Sequence, residues 1–77
     1  MSLELCIARY LLMSKREGKK VKTVDLIAHI VRESYNPDDL LKIVDDLEKR
    51  KFIKSDKSFW IITQVGINHY FRVSERD

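Results

Sequence analysis

The strongest constraint on this chain lies near its middle, at Asn36-Pro37-Asp38-Asp39. Asn is a good N-cap, and Pro fits the first helical position because its missing N–H has no intrahelical partner there. The two acids that follow sit where the helix dipole favours negative charge. A helix therefore starts here, with Leu40, Leu41, Ile43, Val44 and Leu47 as its apolar stripe. It runs directly into Phe52-Ile53-Lys54 and then, after the turn-forming link Ser55-Asp56-Lys57-Ser58, into Phe59-Trp60-Ile61-Ile62. These aromatic and branched runs read as the two strands of a hairpin. A helix that feeds a hairpin without a linker leaves few topologies open.

The remaining segments read as three more helices. The first is expected from about Ser2 to Glu17, capped by Ser2, with Glu4 in its first turn and Gly18 as its stop. Leu3, Cys6, Ile7, Tyr10, Leu11 and Met13 fall on one broad face, and Leu5, Ala8 and Leu12 on nearly the opposite side. A peripheral helix in a monomer needs only one such face. The second face is expected either to form a dimer seam through Leu5, Ala8 and Leu12 or to be covered by the last helix. After an extended link, Lys19-Lys20-Val21-Lys22, Thr23 is expected to cap a second helix to about Ser34. Val24, Leu26, Ile27, Ile30 and Val31 make its apolar face. Thr63 is expected to cap a last helix over about 64–74.

The chain has 77 residues, one Cys, two Gly and one Pro, which fits one domain over 1–77 and no intramolecular disulfide. A core this small buries only roughly 60% of the unfolded surface, so packing alone has to hold it, unless a partner subunit helps. Cys6 and two distant histidines make no zinc site, and His29 and His69 fall on polar faces where solvated imidazoles are expected. Adjacent acids on a helix point about 100° apart, so neither Asp38-Asp39 nor Asp45-Asp46 chelates a metal well. No Gly-rich phosphate loop or nucleophile–base set is present, so neither an enzyme nor a cofactor site is expected. The N-terminal apolar run is too short to span a bilayer and carries Glu4 and Arg9, so the reading is cytoplasmic, with no membrane partner.

The order helix, short strand, helix, tight turn, helix, two-stranded hairpin, helix resembles the winged helix-turn-helix fold, an α+β and mostly helical class. Leu47-Glu48-Lys49-Arg50-Lys51-Phe52-Ile53 is similar to the family's L-x-x-x-G-L-I passage from third helix into wing. Trp60-Ile61-Ile62-Thr63-Gln64-Val65-Gly66 is similar to its Y-x-L-T-x-x-G passage from wing into last helix. Lys51 departs from the pattern, standing where the family has a left-handed glycine. By the same analogy Trp60 and Ile62 face the core, and Phe59 and Ile61 the other side of the hairpin. The resemblance implies double-stranded DNA binding, with the third helix in the major groove and the wing along the backbone, in a small dimeric transcription regulator.

The charges complicate that expectation. Residues 36–48 carry five acids and one Lys, and the face opposite the apolar stripe is Asp38, Asp39, Lys42, Asp45, Asp46 and Lys49. Such a face repels phosphates on balance. Asp45–Lys49 and Lys42–Asp46 are also i,i+4 pairs suited to a solvated surface. The positive charge lies elsewhere: residues 15–22 hold five bases against one acid, and residues 49–57 the same. Net charge is +3. If the chain binds DNA, Lys19, Lys20 and Lys22 in the link, Arg50, and Lys54, Lys57 and Ser58 along the wing are expected to carry the affinity. The third helix would engage shallowly through Lys42 and Lys49, with Tyr35 and Asn36 at its entrance. The competing expectation is a protein-interaction module that presents Asp38, Asp39, Asp45 and Asp46 to a basic protein; non-specific coating of DNA is a third.

Overall fold

A computed structural model describes residues 2–71. The fold is α+β, with four α-helices and one two-stranded antiparallel sheet: α1 (Leu3–Arg16), α2 (Thr23–Arg32), a 3₁₀ turn (Pro37–Asp39), α3 (Leu40–Lys49), β1 (Ile53–Asp56), β2 (Phe59–Ile62) and α4 (Gln64–Phe71). Among the described residues, no helix is long and apolar enough to cross a membrane.

Helix α1 is the hub, and this accounts for its two apolar sides. The Ser2 hydroxyl accepts the Leu5 N–H at 3.2 Å, and Gly18 closes the far end at φ +71°, a conformation that favours glycine. Between these caps the helix packs against α2, α3, α4 and β2. Ile7, Ala8, Leu11 and Leu12 all enter the core, and Cys6 behaves as a small buried hydrophobe whose thiol pKa is pushed up by burial. The seam expected of Leu5, Ala8 and Leu12 is therefore not a free surface. Ala8 and Leu12 are buried within the chain itself, and Leu5 is half-buried.

Two caps differ from expectation. Thr23 is the first residue of α2 rather than its cap, because its hydroxyl accepts the Trp60 indole N–H at 3.0 Å. The start of α2 is satisfied from the other direction: Asp25 Oδ2 accepts the Lys22 N–H at 2.9 Å. Asn36 does cap, accepting the Asp38 N–H at 2.9 Å, but it starts a 3₁₀ turn that leads into α3.

The apolar faces of α2 and α3 are narrower than their sequences suggest. On α2 only Leu26 and Ile30 are buried. His29 stacks on Tyr10 of α1 with ring centroids 4.1 Å apart, which turns the contact face toward the Leu26–Ile30 row. Val24, Ile27 and Val31 lie round the helix from that row, at about 100° per residue, and stay exposed. On α3, Leu40, Val44 and Leu47 are buried, while Leu41 is 71% exposed. Neither histidine is simply solvated: His69 stacks on Phe52 at 4.3 Å.

The hairpin is tighter than expected. Strand β1 extends to Asp56, pairing Ile53 with Ile62 and Asp56 with Phe59, so Lys57 and Ser58 alone make the turn. Both have positive φ, 51° and 74°, as a type I′ turn requires. The 19–22 link adds one antiparallel bridge, with the Trp60 N–H donating to the Val21 carbonyl at 2.7 Å.

One residue joins the hairpin to α4. The Thr63 hydroxyl accepts the Gly66 N–H at 3.0 Å and lies 2.6 Å from the Lys51 carbonyl, to which it donates. The Thr63 N–H donates to the Phe52 carbonyl at 2.9 Å. Gly66 is buried because a Cβ there would overlap that same Phe52 oxygen. Lys51 adopts φ +65°, the left-handed conformation for which a glycine is suited. The expected end of α4, at 72–74, lies outside the described residues.

Candidate nucleic-acid interface

The helix and hairpin ends distribute the cations into two groups. The first surrounds the base of the hairpin. Lys20 and Lys22 follow the end of α1, and the Val21–Trp60 bridge holds that link against β2. Their ammonium nitrogens lie 5.1 and 5.8 Å from the centroid of the Phe59 ring. Lys15, Lys19, Lys20 and Lys57 line one cleft together with Phe59 and Trp60. The two basic segments, separate in sequence, meet here. Among the described residues, Asp56 is the only acid lining the cleft. Lys19 pairs with Glu17 at 3.2 Å, but both side chains are well exposed, and such pairs contribute little. Lys54 is exposed on β1, and Lys57 and Ser58 form the tip.

The second group lies on and after α3, where Lys49 and Arg50 face carboxylates. Lys49 Nζ is 3.1 Å from Asp45. Arg50 lies 3.5 Å from Asp46 and 3.6 Å from Glu4, with its guanidinium 5.6 Å from the Phe52 ring centroid. Asp46 thus pairs with Arg50 rather than with Lys42, which stays exposed. Glu4 also accepts the Tyr70 hydroxyl, so one carboxylate ties the start of α1 to the end of α3 and to α4. Burial, and then the hydrogen bond to Glu4, push the Tyr70 phenol above its ordinary range. At the entrance to α3 the Asn36 side chain is occupied by its cap and Tyr35 is half-buried against the core. None of Tyr35, Asn36, Lys42, Lys49 or Arg50 lines the hairpin cleft.

A second cleft, of about 430 Å³, separates α1 from α2 under the Tyr10–His29 stack. Arg9, Lys19 and Arg32 line it beside Glu17 and Glu33, so its charge is mixed and focuses neither sign.

Sequence reasoning picked out Lys19, Lys20, Lys22 and Lys57 but not Lys15, Phe59 and Trp60 as their neighbours. The available signal was the alternation in Phe59-Trp60-Ile61-Ile62, which puts Phe59 on the side away from Ile62. What it lacked was the position of the link, which depends on one non-local bridge. Set against protein-family models, curated proteins and solved structures, the chain matches none of them.

Proposed function

We propose that the chain is a winged helix-turn-helix module that binds double-stranded DNA through its hairpin and basic link, with α3 held shallowly against the groove. The observation that carries this reading is the convergence of two basic segments on one hairpin, while Lys49 and Arg50 at the end of α3 face that helix's own acids. Phosphate attraction supplies most non-specific affinity, so the surface with uncommitted lysines is the one that meets the backbone. Lys19, Lys20, Lys22, Lys54 and Lys57 make those contacts, with the Ser58 hydroxyl beside them; Lys42 is the remaining contact on α3. The element order, the Thr63–Gly66 junction and the left-handed Lys51 support the winged-helix reading. A two-fold dimer facing a palindromic site would need a surface other than the buried α1 seam. The exposed row Val24, Ile27 and Val31 is one apolar surface that could serve.

The test is fluorescence anisotropy of a labelled random-sequence duplex between about 50 and 200 mM salt. Binding with a Kd of roughly 10⁻⁴–10⁻⁶ M that weakens steeply with salt is expected. Absence of binding at the lowest salt would overturn the reading.

A second reading has its own observation. Leu41 is 71% exposed and lies one α-helical turn before Asp45, just after the acidic turn Asp38-Asp39. An apolar residue flanked by acids suits a basic, partly apolar protein surface. Chains that ignore DNA at low salt, but bind a partner in a way that Leu41→Glu abolishes, would establish it instead.

A further inference from the structure

We infer that the cleft at the base of the hairpin is a nucleotide site, in which a base stacks on Phe59 and the attached phosphate is held by the surrounding lysines. The cleft encloses about 330 Å³, near the lower end of the roughly 300–1,000 Å³ typical of small-ligand sites. Its lining includes the apolar residues Leu11, Val21 and Ile61 and the aromatic residues Phe59 and Trp60. Lys15, Lys19, Lys20 and Lys57 stand around it, with Asp56 the one acid among the described lining residues. An apolar, aromatic lining ringed by ammonium groups matches a ligand with a flat ring and a phosphate. Neither half of such a ligand is enough by itself: bare phosphate gains nothing from the apolar lining, and a neutral aromatic leaves the lysines unanswered.

Phe59 supplies the specific contact. It is half-buried, and the ammoniums of Lys20 and Lys22 lie over its ring at 5.1 and 5.8 Å. These cation–π contacts are weak at exposed sites and exchange readily. A base replaces the ammoniums over the ring, and they turn to its phosphate. Stacking of this kind tolerates any base, because every base has a π-face. Trp60 does not compete for the base edge, since its indole N–H already donates to Thr23.

The nucleotide can be a free monomer or an unpaired residue of a single strand; the chemistry is the same. The claim shares Lys19, Lys20 and Lys57 with the proposed duplex surface but not its key contact, which is a ring face rather than a row of phosphates.

Trp60 is the chain's only Trp, so its fluorescence reports on the cleft directly. The experiment titrates the whole chain with thymidine 5′-monophosphate, a short oligothymidylate, inorganic phosphate and a blunt duplex. A saturable change with the monophosphate and the oligothymidylate, and none with phosphate, is expected. Similar affinities for the two would identify a mononucleotide site; much tighter oligothymidylate binding, a strand site. Phe59→Leu, which keeps an apolar side chain without a ring face, should weaken that binding by roughly 5- to 100-fold. Duplex affinity should stay within about twofold. Lys15→Gln, at an exposed position outside the duplex surface, should weaken nucleotide binding with little change in melting temperature. Three results overturn the site: no Trp60 change with either nucleotide form, the same change with inorganic phosphate, or Phe59→Leu binding like wild type. Nucleotide binding in a chain that ignores the duplex would instead overturn only the duplex reading.

Discussion

The hairpin base and the end of helix α3 hold their cations in different ways. Around the hairpin, Lys20 and Lys22 rest on an aromatic ring, and Lys54 and Lys57 project from a strand and a tight turn with no ion pair among the described residues. On α3, Lys49 faces Asp45, and Arg50 faces Asp46 and Glu4. On the proposed reading, formal charge is a poor guide to where a polyanion binds. What counts is the charge left over after local pairing, and pairing is decided by helical spacing. A helix with acids at i and bases at i+4 neutralises itself, whereas a two-residue turn cannot.

The most direct way to break the comparison is to remove the platform that holds the hairpin. Gly66 packs α4 onto the Phe52 carbonyl at the end of β1, and Thr63 fastens the same junction. In Gly66→Ala the added methyl overlaps a backbone oxygen that cannot turn aside, so α4 and the hairpin must separate. A loss of about 3 kcal/mol or more is expected, at the upper end of overpacking effects, as a fall in the urea midpoint. A loss under about 1 kcal/mol would mean that α4 docks loosely on the hairpin.

The next test sets the two cation groups against each other. Lys54→Glu with Lys57→Glu should weaken duplex binding by about 100-fold at 100 mM salt and lower the salt slope by about 1.8, the value for two lost phosphate contacts. Lys42→Glu with Lys49→Glu makes the same formal change on α3. It should weaken binding less, by about tenfold, because only Lys42 of this pair is a proposed phosphate contact. Larger losses from the α3 pair than from the hairpin pair would put α3 in the groove and reverse the proposal.

These particular residues also show how far the sequence reaches. Local signals were readable: the Ser2 and Asn36 caps, Gly18, the strands and the Asp45–Lys49 pair all depend on residues within a turn of one another. Even the left-handed Lys51 follows from its place between a helix and a strand. What the sequence left open was non-local. Ala8 and Leu12 suited a dimer seam and a face covered by the last helix equally, because nothing in their spacing shows four other elements closing round α1. Val24, Ile27, Val31 and Leu41 looked buried because periodicity gives a helix an apolar face but not the width of the neighbour that covers it. Thr23 looked like a cap because a hydroxyl before a helix usually is one; its partner, Trp60, lies far along the chain. Candidate-site legibility follows the same rule: the lysines stood out as runs, and Phe59 became their partner only through the Val21–Trp60 bridge.

A smaller effect probes the tie that joins α3 to the rest of the fold. Tyr70 donates to Glu4, which Arg50 also faces. Tyr70→Phe should cost about 1 kcal/mol at neutral pH. The pH dependence has a definite sign. The folded phenol titrates above its ordinary value of about 10, so the unfolded chain gives up the proton first as pH rises. The Tyr70 contribution is fully present below about pH 10 and is lost above it. Denaturant melts at pH 8 and pH 10.5 should show the gap between wild type and Tyr70→Phe closing. A gap that stays constant would mean that the phenol is not held by Glu4.

The smallest expected change lies at the hairpin tip, where the two roles of one residue can be separated. Ser58 has φ 74°, a conformation that costs a non-glycine residue about 1 kcal/mol. In Ser58→Gly that strain disappears, partly offset by the greater freedom of glycine in the unfolded chain. A net gain of about 0.5 kcal/mol, or a rise in Tm of a few degrees, is expected. If the hydroxyl also contacts phosphate, as proposed, the same substitution should weaken duplex binding by about threefold, roughly the net worth of one hydrogen bond. Stability and affinity then move in opposite directions, which a merely structural turn residue would not produce. A rise in Tm with unchanged affinity would remove Ser58 from the interface and leave the lysines as its only contacts at the tip.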